Sequence, residues 1–271
     1  MTAEFVPTSS YGILHRDFTG SSVDIAAEEV LRLGYSRLDA GYSPDELSEI
    51  SQAFDSAHDQ YIEQWGDAHL QLLDERNTLR ALCTHGGPKF IALASNSSLL
   101  AVLELLIVGR FILNQQNGII NPPMQPYNQG AWHRDLPYQH FVSSSPLAVN
   151  ALFCVDDFTL DNGATFILPA SHRVEAFPSD HFVRTQALQV KAQAGEFILL
   201  DSMTFHAGGF NRTQKARRAV NHLYTIPFFK QQIKLPGNMD AQGLTPQQKN
   251  LFGFDYLEPT SIESYLETRS R

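Results

Sequence analysis

The sequence predicts a mainly β protein with a jelly-roll core and a helical N-terminal part. From Phe111 onward, short apolar runs alternate with turn-forming pairs such as Pro122-Pro123, Asn162-Gly163 and Gly208-Gly209. Short strands separated in this way are typical of a sandwich or barrel and not of alternating strands and helices. The preceding residues instead carry apolar side chains at helical spacing. A chain of 271 residues is long enough for one such core, so we expect a single domain over residues 1–271.

The N-terminal part begins with an irregular arm, residues 1–20, which a helical scaffold over residues 21–110 follows. The pattern predicts a helix over Val23–Leu33 that ends at Gly34, because glycine readily takes the left-handed conformation that closes a helix. A short strand over Tyr35–Asp39 comes next.

A second helix has a strong start signal at Ser43-Pro44-Asp45-Glu46. This run offers a capping serine, a proline at the first helical position and a glutamate that completes a capping box. The apolar stripe that follows is expected to face the core, and Gly66 ends the helix. Asn96 is the expected cap of a later apolar helix over residues 97–108. The stripe consists of Leu47, Ile50, Phe54, Ala57, Tyr61 and Trp65.

The predicted jelly-roll core spans residues 111–228 and contains eight short strands. Residues 229–271 form a mixed C-terminal segment, which we interpret as a flap or a dimer contact. Two stretches of it, Leu244–Lys249 and Ser261–Leu266, have the composition of short helices. The expected strands lie near Phe111–Gln115, Trp132–Asp135, Ala148–Val155, Thr165–Leu168, Leu188–Val190, Gly195–Asp201, Thr204–His206 and Arg217–Thr225.

The composition argues against several classes of protein. The formal charge of −9 and the isoelectric point near 5.5 speak against nucleic-acid binding, which needs a basic face. Cys83 and Cys154 lack metal-like spacing, so we expect reduced core thiols in a reducing cytoplasm. The longest apolar run, Leu99–Val108, is too short to cross a membrane, and the N-terminus has no secretory signal. We therefore expect a soluble, cytoplasmic protein.

The stretch Trp132-His-Arg-Asp-Leu points to a metal site. His133 and Asp135 are two residues apart, so an extended strand places both side chains on one face. His206 ends a segment that follows the apolar run Phe197–Leu200, and it offers a third ligand from another strand. Two neutral imidazoles and one carboxylate on one side of a metal are the donor set of non-haem Fe(II) oxygenases, which leaves coordination positions open for chemistry.

Other interpretations of these residues are weaker. His133-Arg-Asp-Leu matches part of a protein-kinase catalytic loop, but His140 replaces the expected asparagine and the sequence has no Gly-rich phosphate loop. The Gly-x-Ser-x-Gly elbow of a hydrolase does not occur. His15-Arg16-Asp17 repeats the His-x-Asp spacing in the irregular arm, where we interpret it as a surface segment. A lone histidine on a strand is more often a hydrogen-bonded core residue, so His222 stays unassigned.

Arg217 follows His206 by eleven residues, and we expect it on the next strand. Strand alternation puts it on the same face as Asn221. A charged side chain that points into the core is unfavourable unless an opposite charge pairs with it. A dicarboxylate supplies this partner, because a guanidinium binds a carboxylate through two hydrogen bonds. The charges of Fe(II), Asp135, 2-oxoglutarate and Arg217 then sum to zero.

Three segments occur in a fixed order along the predicted core. They are Trp132-His-Arg-Asp-Leu, Asp161-Asn-Gly-Ala-Thr-Phe-Ile-Leu-Pro-Ala-Ser-His172-Arg and His206-Ala-Gly-Gly-Phe-Asn211-Arg-Thr-Gln-Lys-Ala-Arg217-Arg. In sequence and spacing they resemble the phytanoyl-CoA dioxygenase family. Its members are Fe(II)/2-oxoglutarate oxygenases on a double-stranded β-helix, or cupin-like, fold. The resemblance covers roughly residues 28–228 and is strongest from Trp132 to Asn221.

The resemblance implies roles for individual residues. Arg217 corresponds to the clamp for the distal carboxylate of 2-oxoglutarate, Thr165 to a further contact with that co-substrate, and Gln115 to a weaker one. Dioxygen is the implied oxidant. The implied iron ligands are His133, Asp135 and His206.

Asp135 also bears on the reaction. Related halogenases have glycine or alanine at this place to leave room for chloride, so the carboxylate favours oxygen chemistry. Two departures from the family pattern, Ala170 before Ser-His and the loose turn at Gly208-Gly209, do not touch the implied ligands.

The sequence does not identify the substrate. We expect hydroxylation of an unactivated C–H bond in a small biosynthetic metabolite. Desaturation, cyclisation, epimerisation and endoperoxidation are open alternatives at the same site, and acyl-CoA hydroxylation or a non-catalytic cupin-like binding protein is less favoured. The sequence is compatible with a monomer or a homodimer. The side chains expected at the substrate pocket are Arg134, Tyr138, His140, Phe141, Met203 and Phe210.

Overall fold

Helices dominate the first 110 residues of the chain. The structure is a computed structural model that describes residues 7, 9–15, 17–136 and 138–269. Of the predicted irregular arm, residues 1–6, 8 and 16 lie outside the described residues, and the rest contains neither helix nor strand. The elements that follow are α1 (Ser22–Leu33), β1 (Tyr35–Asp39), α2 (Pro44–Trp65), α3 (Asp67–Leu72), β2 (Thr78–Leu79), α4 (Leu82–His85), α5 (Pro88–Ala94) and α6 (Ser97–Leu106).

Capping residues set the ends of the first two helices. The backbone N–H of Asp24 donates to Ser21 Oγ at 3.1 Å, so α1 begins at Ser22, one residue before the predicted start. Gly34 closes α1 in the left-handed conformation, with φ of 82°. The predicted capping box of α2 is present between Ser43 and Glu46.

The apolar stripe of α2 faces the core over most of its length. Ile50, Phe54 and Ala57 are buried, as predicted. The prediction was wrong for Trp65, which is 51% exposed. Near the end of the helix, the Tyr61 ring stacks on His85, and the Trp65 ring is tilted against the Tyr61 ring.

The stretch Pro88–Leu106 is long and apolar enough, by length and composition alone, to cross a membrane. In the structure it is two helices, α5 and α6, with a break at Ser95-Asn96. Asn96 caps α6 by accepting a hydrogen bond from the Leu99 backbone N–H at 3.0 Å. Side chains of both helices belong to the largest core cluster, so this stretch packs as part of the interior.

In the described part of the chain, two antiparallel sheets are built mostly from strands after residue 110, with β1 and β2 at the edges of the larger one. The large sheet has six strands in the order β1-β7-β4-β9-β3-β2, and the small one has three in the order β6-β5-β8. The large sheet is open and does not close into a barrel. The predicted class, mainly β with flanking helices, is confirmed. The remaining strands are β3 (Ile112–Asn121), β4 (Ala148–Cys154), β5 (Phe166–Ile167), β6 (Leu188–Gln189), β7 (Glu196–Asp201), β8 (His206–Ala207) and β9 (Arg217–Thr225).

One predicted strand, Trp132–Asp135, is reduced to a single bridge between His133 and His206. Their backbones exchange two hydrogen bonds, of 3.0 and 3.1 Å. The next pairing departs from this ladder, because the backbone N–H of Asp135 donates to Ser202 O instead. The segment is therefore hydrogen-bonded to His206 of β8 and to Ser202, the residue that follows β7.

The strand β9 separates two environments. Its residues Arg218, Val220 and Tyr224 face the helices: Arg218 reaches Ser51 and Asp55 of α2, and Tyr224 donates to Ala94 O. Ala219, on the opposite face, packs with Ile167 of the small sheet. The predicted site residues His133, Asp135, His206 and Arg217 lie in the space between the two sheets.

The C-terminal segment contributes to the core at one point and lies at the surface at another. The helix α7 (Asp180–Gln186) lies between β5 and β6. The C-terminal segment contains α8 (Pro246–Leu251) and α9 (Ile262–Thr268). Leu251 and Phe252 are buried in the largest cluster, whereas α9 has no buried residue. A role of the segment as a flap or a dimer contact stays a prediction.

Candidate active site

Three side chains from two segments converge between the sheets. One ligand atom each of His133, Asp135 and His206 lies within 4.8 Å of the others. The two oxygens of Asp135 point to different imidazoles: Oδ1 is 3.4 Å from His133 Nε2, and Oδ2 is 3.5 Å from His206 Nε2. The backbone bridge between His133 and His206 brings the two rings together, with centroids 4.3 Å apart.

Backbone carbonyls fix the orientation of both imidazoles. His133 Nδ1 lies 2.7 Å from Ala131 O, and His206 Nδ1 lies 3.0 Å from Thr204 O. Because a carbonyl oxygen only accepts, each Nδ1 carries the proton. Each neutral ring therefore presents the lone pair of Nε2 to the centre of the cluster, which is the form that binds a metal.

The ionisation states of the cluster are coupled. Burial opposes the ionisation of Asp135, but the two imidazoles outweigh it and lower the pKa of this carboxyl. Burial also disfavours the charged form of His133, yet the hydrogen bond and charge of Asp135 raise its pKa. For His206 burial dominates and lowers the pKa. At neutral pH the cluster holds an ionised carboxylate beside at least one neutral imidazole.

Arg217 is the unusual residue of this cavity. Its side chain is buried, with 2% of the residue exposed, and its guanidinium lies 3.8 Å from the centre of the Phe158 ring. Nη2 donates to the hydroxyl of Tyr127 at 3.4 Å, and Nε has no acceptor among the described residues. No ion pair joins it to a carboxylate in the described part of the chain. Burial accordingly lowers its pKa.

A cavity connects Arg217 with the histidine–aspartate cluster. Thr165, which was predicted as a co-substrate contact, also lines it and is buried. The structure thus brings together five predicted site residues, although metal binding and co-substrate binding by them stay predictions. The lining consists of Ile119, Tyr127, Gln129, His133, Asp135, Leu152, Thr165, Leu200, His206, Gly208, Arg217 and Asn221.

Gln115 does not join this group. In the register between β3 and β9, Arg217 is opposite Asn121, whereas Gln115 is opposite Leu223. Six residues of strand separate Asn121 from Gln115, which is about 20 Å at 3.3 Å per residue. A five-carbon dicarboxylate held by Arg217 does not reach that far. Gln115 instead accepts a hydrogen bond from Asn117 at 3.0 Å.

Arg134 was expected at the substrate pocket, but it is not among the residues that line the cavity. The residue is 2% exposed, and its guanidinium lies 3.8 Å from the centre of the Phe205 ring, away from the cavity. Side chains of an extended segment alternate in direction. Since His133 and Asp135 point inward, Arg134 between them points outward. It donates to four backbone carbonyls, those of Gln139, Ser171, Val174 and Glu175.

None of the other expected pocket residues lines the cavity. Tyr138 and His140 are exposed, and the Tyr138 ring stacks on Phe141 with centroids 6.0 Å apart. Phe141 and the buried Met203 belong to a small apolar cluster with Leu136, Ala148 and Leu223. Phe210 is 47% exposed and lines an outer groove that shares Tyr127 and Gly208 with the cavity.

Sequence reasoning missed Tyr127 and Gln129, two polar residues of the cavity wall. Both precede the metal motif in a segment without strand periodicity, so no pattern indicated where their side chains point. Gly208 leaves room for Tyr127, since any side chain at this glycine would overlap the tyrosine hydroxyl. Asn221 was placed on the face of Arg217 by alternation but was given no role.

A comparison with protein families decides the relationship of the chain. Residues 31–219 match the model of the phytanoyl-CoA dioxygenase (PhyH) family, which is more than half of the chain. The chain belongs to the phytanoyl-CoA dioxygenase family. The resemblance seen in the three sequence segments is thereby confirmed, and so is the expected enzyme class, an oxidoreductase of the dioxygenase type.

Individual relatives of this PhyH-family chain agree with that placement. Rv1501, an uncharacterized protein of Mycobacterium tuberculosis, is 29% identical over 218 residues, which cover 79% of each protein. A crystal structure of EctD from S. alaskensis with 2-oxoglutarate and 5-hydroxyectoine is similar with a TM-score of 0.63 and 18% identity, covering 78% of this chain and 79% of EctD.

A second solved structure widens the range of activities on this fold. SnoK, a non-haem α-ketoglutarate-dependent carbocyclase from nogalamycin biosynthesis, is similar with a TM-score of 0.57 and 16% identity, covering 75% of this chain and 83% of SnoK. At these identities the two structures show the shared cupin-like fold. The predicted double-stranded β-helix core is confirmed on that basis, with the large sheet open.

Proposed function

We propose that this chain is an Fe(II)- and 2-oxoglutarate-dependent dioxygenase that hydroxylates an unactivated C–H bond of a small metabolite in a biosynthetic pathway. The observation that carries the proposal is Arg217. This buried cation has no carboxylate partner among the described residues and shares one cavity with a His-Asp-His cluster. A buried charge without a partner is unfavourable, so the site is built for an anionic ligand close to a metal.

The donor set fits iron. His133, Asp135 and His206 would hold the ion through two neutral nitrogens and one carboxylate oxygen, all on one side. The carbonyls of Ala131 and Thr204 already orient the imidazoles for this, so little reorganisation is needed on binding.

The remainder of the cavity fits 2-oxoglutarate. Arg217 would bind its distal carboxylate, and the hydroxyls of Tyr127 and Thr165 lie in the same wall. The negative charge of this carboxylate would satisfy the guanidinium and restore its ordinary pKa. The apolar side chains of Leu152 and Leu200 in the lining would exclude water and strengthen that pairing.

When bound, iron and 2-oxoglutarate supply the oxidising chemistry: dioxygen, 2-oxoglutarate and the substrate C–H give succinate, carbon dioxide and the alcohol. The protein supplies position. Asp135 would serve as the carboxylate ligand of the metal. Arg217 would bind the distal carboxylate of the co-substrate, so that its keto-acid end faces the cluster.

Cyclisation at the same site is the second candidate, because SnoK, a carbocyclase, shares this fold. The mass of the product separates the two reactions, since hydroxylation adds one oxygen and ring closure or desaturation removes two hydrogens. A binding protein without turnover is less well supported. The His-Asp-His cluster and Arg217 meet in one cavity, which such a protein does not need.

An anaerobic titration of the metal-free protein with Fe(II) and then 2-oxoglutarate tests the proposal. We expect the broad visible charge-transfer band of a keto acid chelated to iron. His206→Ala should lose the band, whereas His181→Ala, the same change at an exposed histidine of α7, should keep it. Iron binding without a band in the folded native protein would exclude 2-oxoglutarate as the co-substrate.

A further inference from the structure

The polar face of β9 beyond Arg217 indicates the chemistry of the substrate. We infer that the substrate is electrically neutral where it enters the cavity, and that Asn221 donates a hydrogen bond to a carbonyl or hydroxyl oxygen beside the reacting carbon. This inference rests on the proposed function, because it takes the metal and 2-oxoglutarate as bound.

The position of Asn221 leaves it free for the substrate. It lies on the same face of β9 as Arg217, four residues further on, and both line the cavity. Four residues of strand span about 13 Å, which is longer than an extended five-carbon dicarboxylate. A co-substrate anchored on Arg217 therefore leaves Asn221 uncovered.

The hydrogen bonds of Asn221 leave both N–H groups of its amide free to donate. Ser202 Oγ donates to Asn150 Oδ1 at 2.5 Å, and Asn150 Nδ2 donates in turn to Asn221 Oδ1 at 3.4 Å. This chain orients the Asn221 amide with its oxygen toward the sheet. Among the described residues, no acceptor takes a hydrogen bond from its Nδ2. Asn221 is half-buried and lines the cavity, and its Nδ2 is available there to a substrate oxygen.

The charges of the cavity set the second property of the substrate. Apart from the two histidines of the cluster, the charged side chains of the lining are Asp135 and Arg217. The metal and the co-substrate use both. A further charged group would then enter a space of low dielectric without an opposite charge, which is unfavourable. Among the other lining residues, Ile119, Leu152, Leu200, Gln129 and Asn221 are apolar or neutral.

The outer groove continues the same character. It shares Tyr127 and Gly208 with the cavity, and none of its lining residues is charged. Phe210 forms its exposed apolar rim. A molecule that extends from the cavity into this groove therefore meets no charged side chain there. The groove is lined by Gln125, Pro126, Tyr127, Gly130, Gly208, Gly209 and Phe210.

A fragment screen by ligand-observed NMR tests the inference without knowledge of the natural substrate. The protein is loaded anaerobically with Fe(II) and 2-oxoglutarate, and the library contains matched neutral, anionic and cationic versions of the same skeletons. Paramagnetic relaxation from the iron identifies fragments bound in the cavity. We expect neutral fragments with a carbonyl or hydroxyl to dominate these hits by at least tenfold. A hit set dominated by ions, or one without neutral fragments, would overturn the inference.

Variants of Asn221 test the assigned hydrogen bond. Asn221→Leu removes the donor and should weaken the neutral hits at least tenfold, whereas Asn221→Ser keeps a donor and should weaken them less. Asn238→Leu, the same change at an exposed amide outside the cavity, should have no effect. Unchanged hits in Asn221→Leu would contradict the assigned role.

The visible iron–keto-acid band is recorded first in every variant. If the native protein forms no band, the proposed function is wrong. A normal band together with ionic hits would be a failure of this inference alone.

Discussion

Arg134 and Arg217 are two buried arginines in similar surroundings, and they differ in one respect. Both are 2% exposed, and both place the guanidinium 3.8 Å from the centre of a phenylalanine ring. Arg134 donates to four backbone carbonyls. Arg217 donates to one hydroxyl, at 3.4 Å. The Nε of both arginines lacks an acceptor among the described residues. Both terminal nitrogens of Arg134 are paired by the fold, whereas Arg217 pairs only Nη2 and so has room for a ligand.

The comparison shows that burial alone does not identify a ligand-binding arginine. The number of acceptors that the protein itself supplies does so. Arg218, next in sequence to Arg217, makes the same point on the opposite face of β9, because Asp156 and Asp55 pair with it. Those carboxylates raise its pKa, whereas burial lowers that of Arg217.

The largest effect is expected from Arg134→Met. Several backbone carbonyls would lose their donor, so we expect the free energy of unfolding to fall by about 4 kcal/mol. Urea unfolding measures this loss. In the protein that remains folded, the affinity for 2-oxoglutarate should stay within about twofold, since Arg134 points away from the cavity. A stable variant with poor 2-oxoglutarate binding would reverse the roles of the two arginines.

Arg217→Leu should have the opposite profile. The affinity for 2-oxoglutarate should fall by about a hundredfold, roughly 2.7 kcal/mol, because the distal carboxylate loses its partner. The free energy of unfolding should not decrease, since the change removes a buried cation without a carboxylate partner. Titration of the iron–keto-acid band gives the affinity. Arg218→Leu is the matched control, and it should lose stability through its two ion pairs while it keeps the affinity.

The surroundings of Arg134 also predict a pH dependence of stability. Burial raises the pKa of Asp201 to about 6, although the Met203 backbone N–H and the charges of Arg173 and Arg134 oppose this. The folded state therefore binds this proton more tightly than the unfolded state. The stabilisation is complete below the unfolded pKa and is lost as the pH rises through about 6.

Between pH 5 and pH 7 this effect amounts to about 1.3 kcal/mol. Asp201→Asn, which keeps an acceptor for Met203, should remove this part of the pH dependence in urea unfolding. An unchanged slope in the variant would show that another group is responsible.

The smallest effect is expected from Tyr127→Phe. The change removes one hydroxyl beside Arg217 and keeps the ring that packs against Gly208. We expect the affinity for 2-oxoglutarate to fall about fivefold, in line with roughly 1 kcal/mol for a hydrogen bond. The same titration measures it. A hundredfold loss would assign to Tyr127 the role that we give to Arg217.

Much of the fold was predictable because local signals and core packing agree. The capping box at Ser43 and Glu46 and the glycine stops at Gly34 and Gly66 mark the helices where the structure has them. The strand β3 was predicted at half its length. Its polar residues Asn114, Gln116 and Asn117 are buried, and they form hydrogen bonds with distant parts of the chain. A hydropathy pattern does not predict that such polar residues belong to a buried strand.

Site residues were predictable where the residue type and the spacing along a strand determine which way the side chain points. His133, Asp135, His206 and Arg217 follow from chemistry and alternation, and the structure brings them together. Residues outside regular strands were not predictable. The side chain of Tyr127 occupies space that Gly208 leaves free, and this close approach joins segments 81 residues apart in the sequence.

The central claim is that the partner of Arg217 is the distal carboxylate of 2-oxoglutarate. Its most direct test compares the dissociation constants of 2-oxoglutarate and 2-oxopentanoate, which has the same keto-acid end and a methyl group in place of that carboxylate, in the native iron-loaded protein and in Arg217→Leu. We predict that the native protein prefers 2-oxoglutarate by about a hundredfold and that the variant prefers it by less than about threefold. A preference that survives in Arg217→Leu, or that is absent from the native protein, would contradict the account.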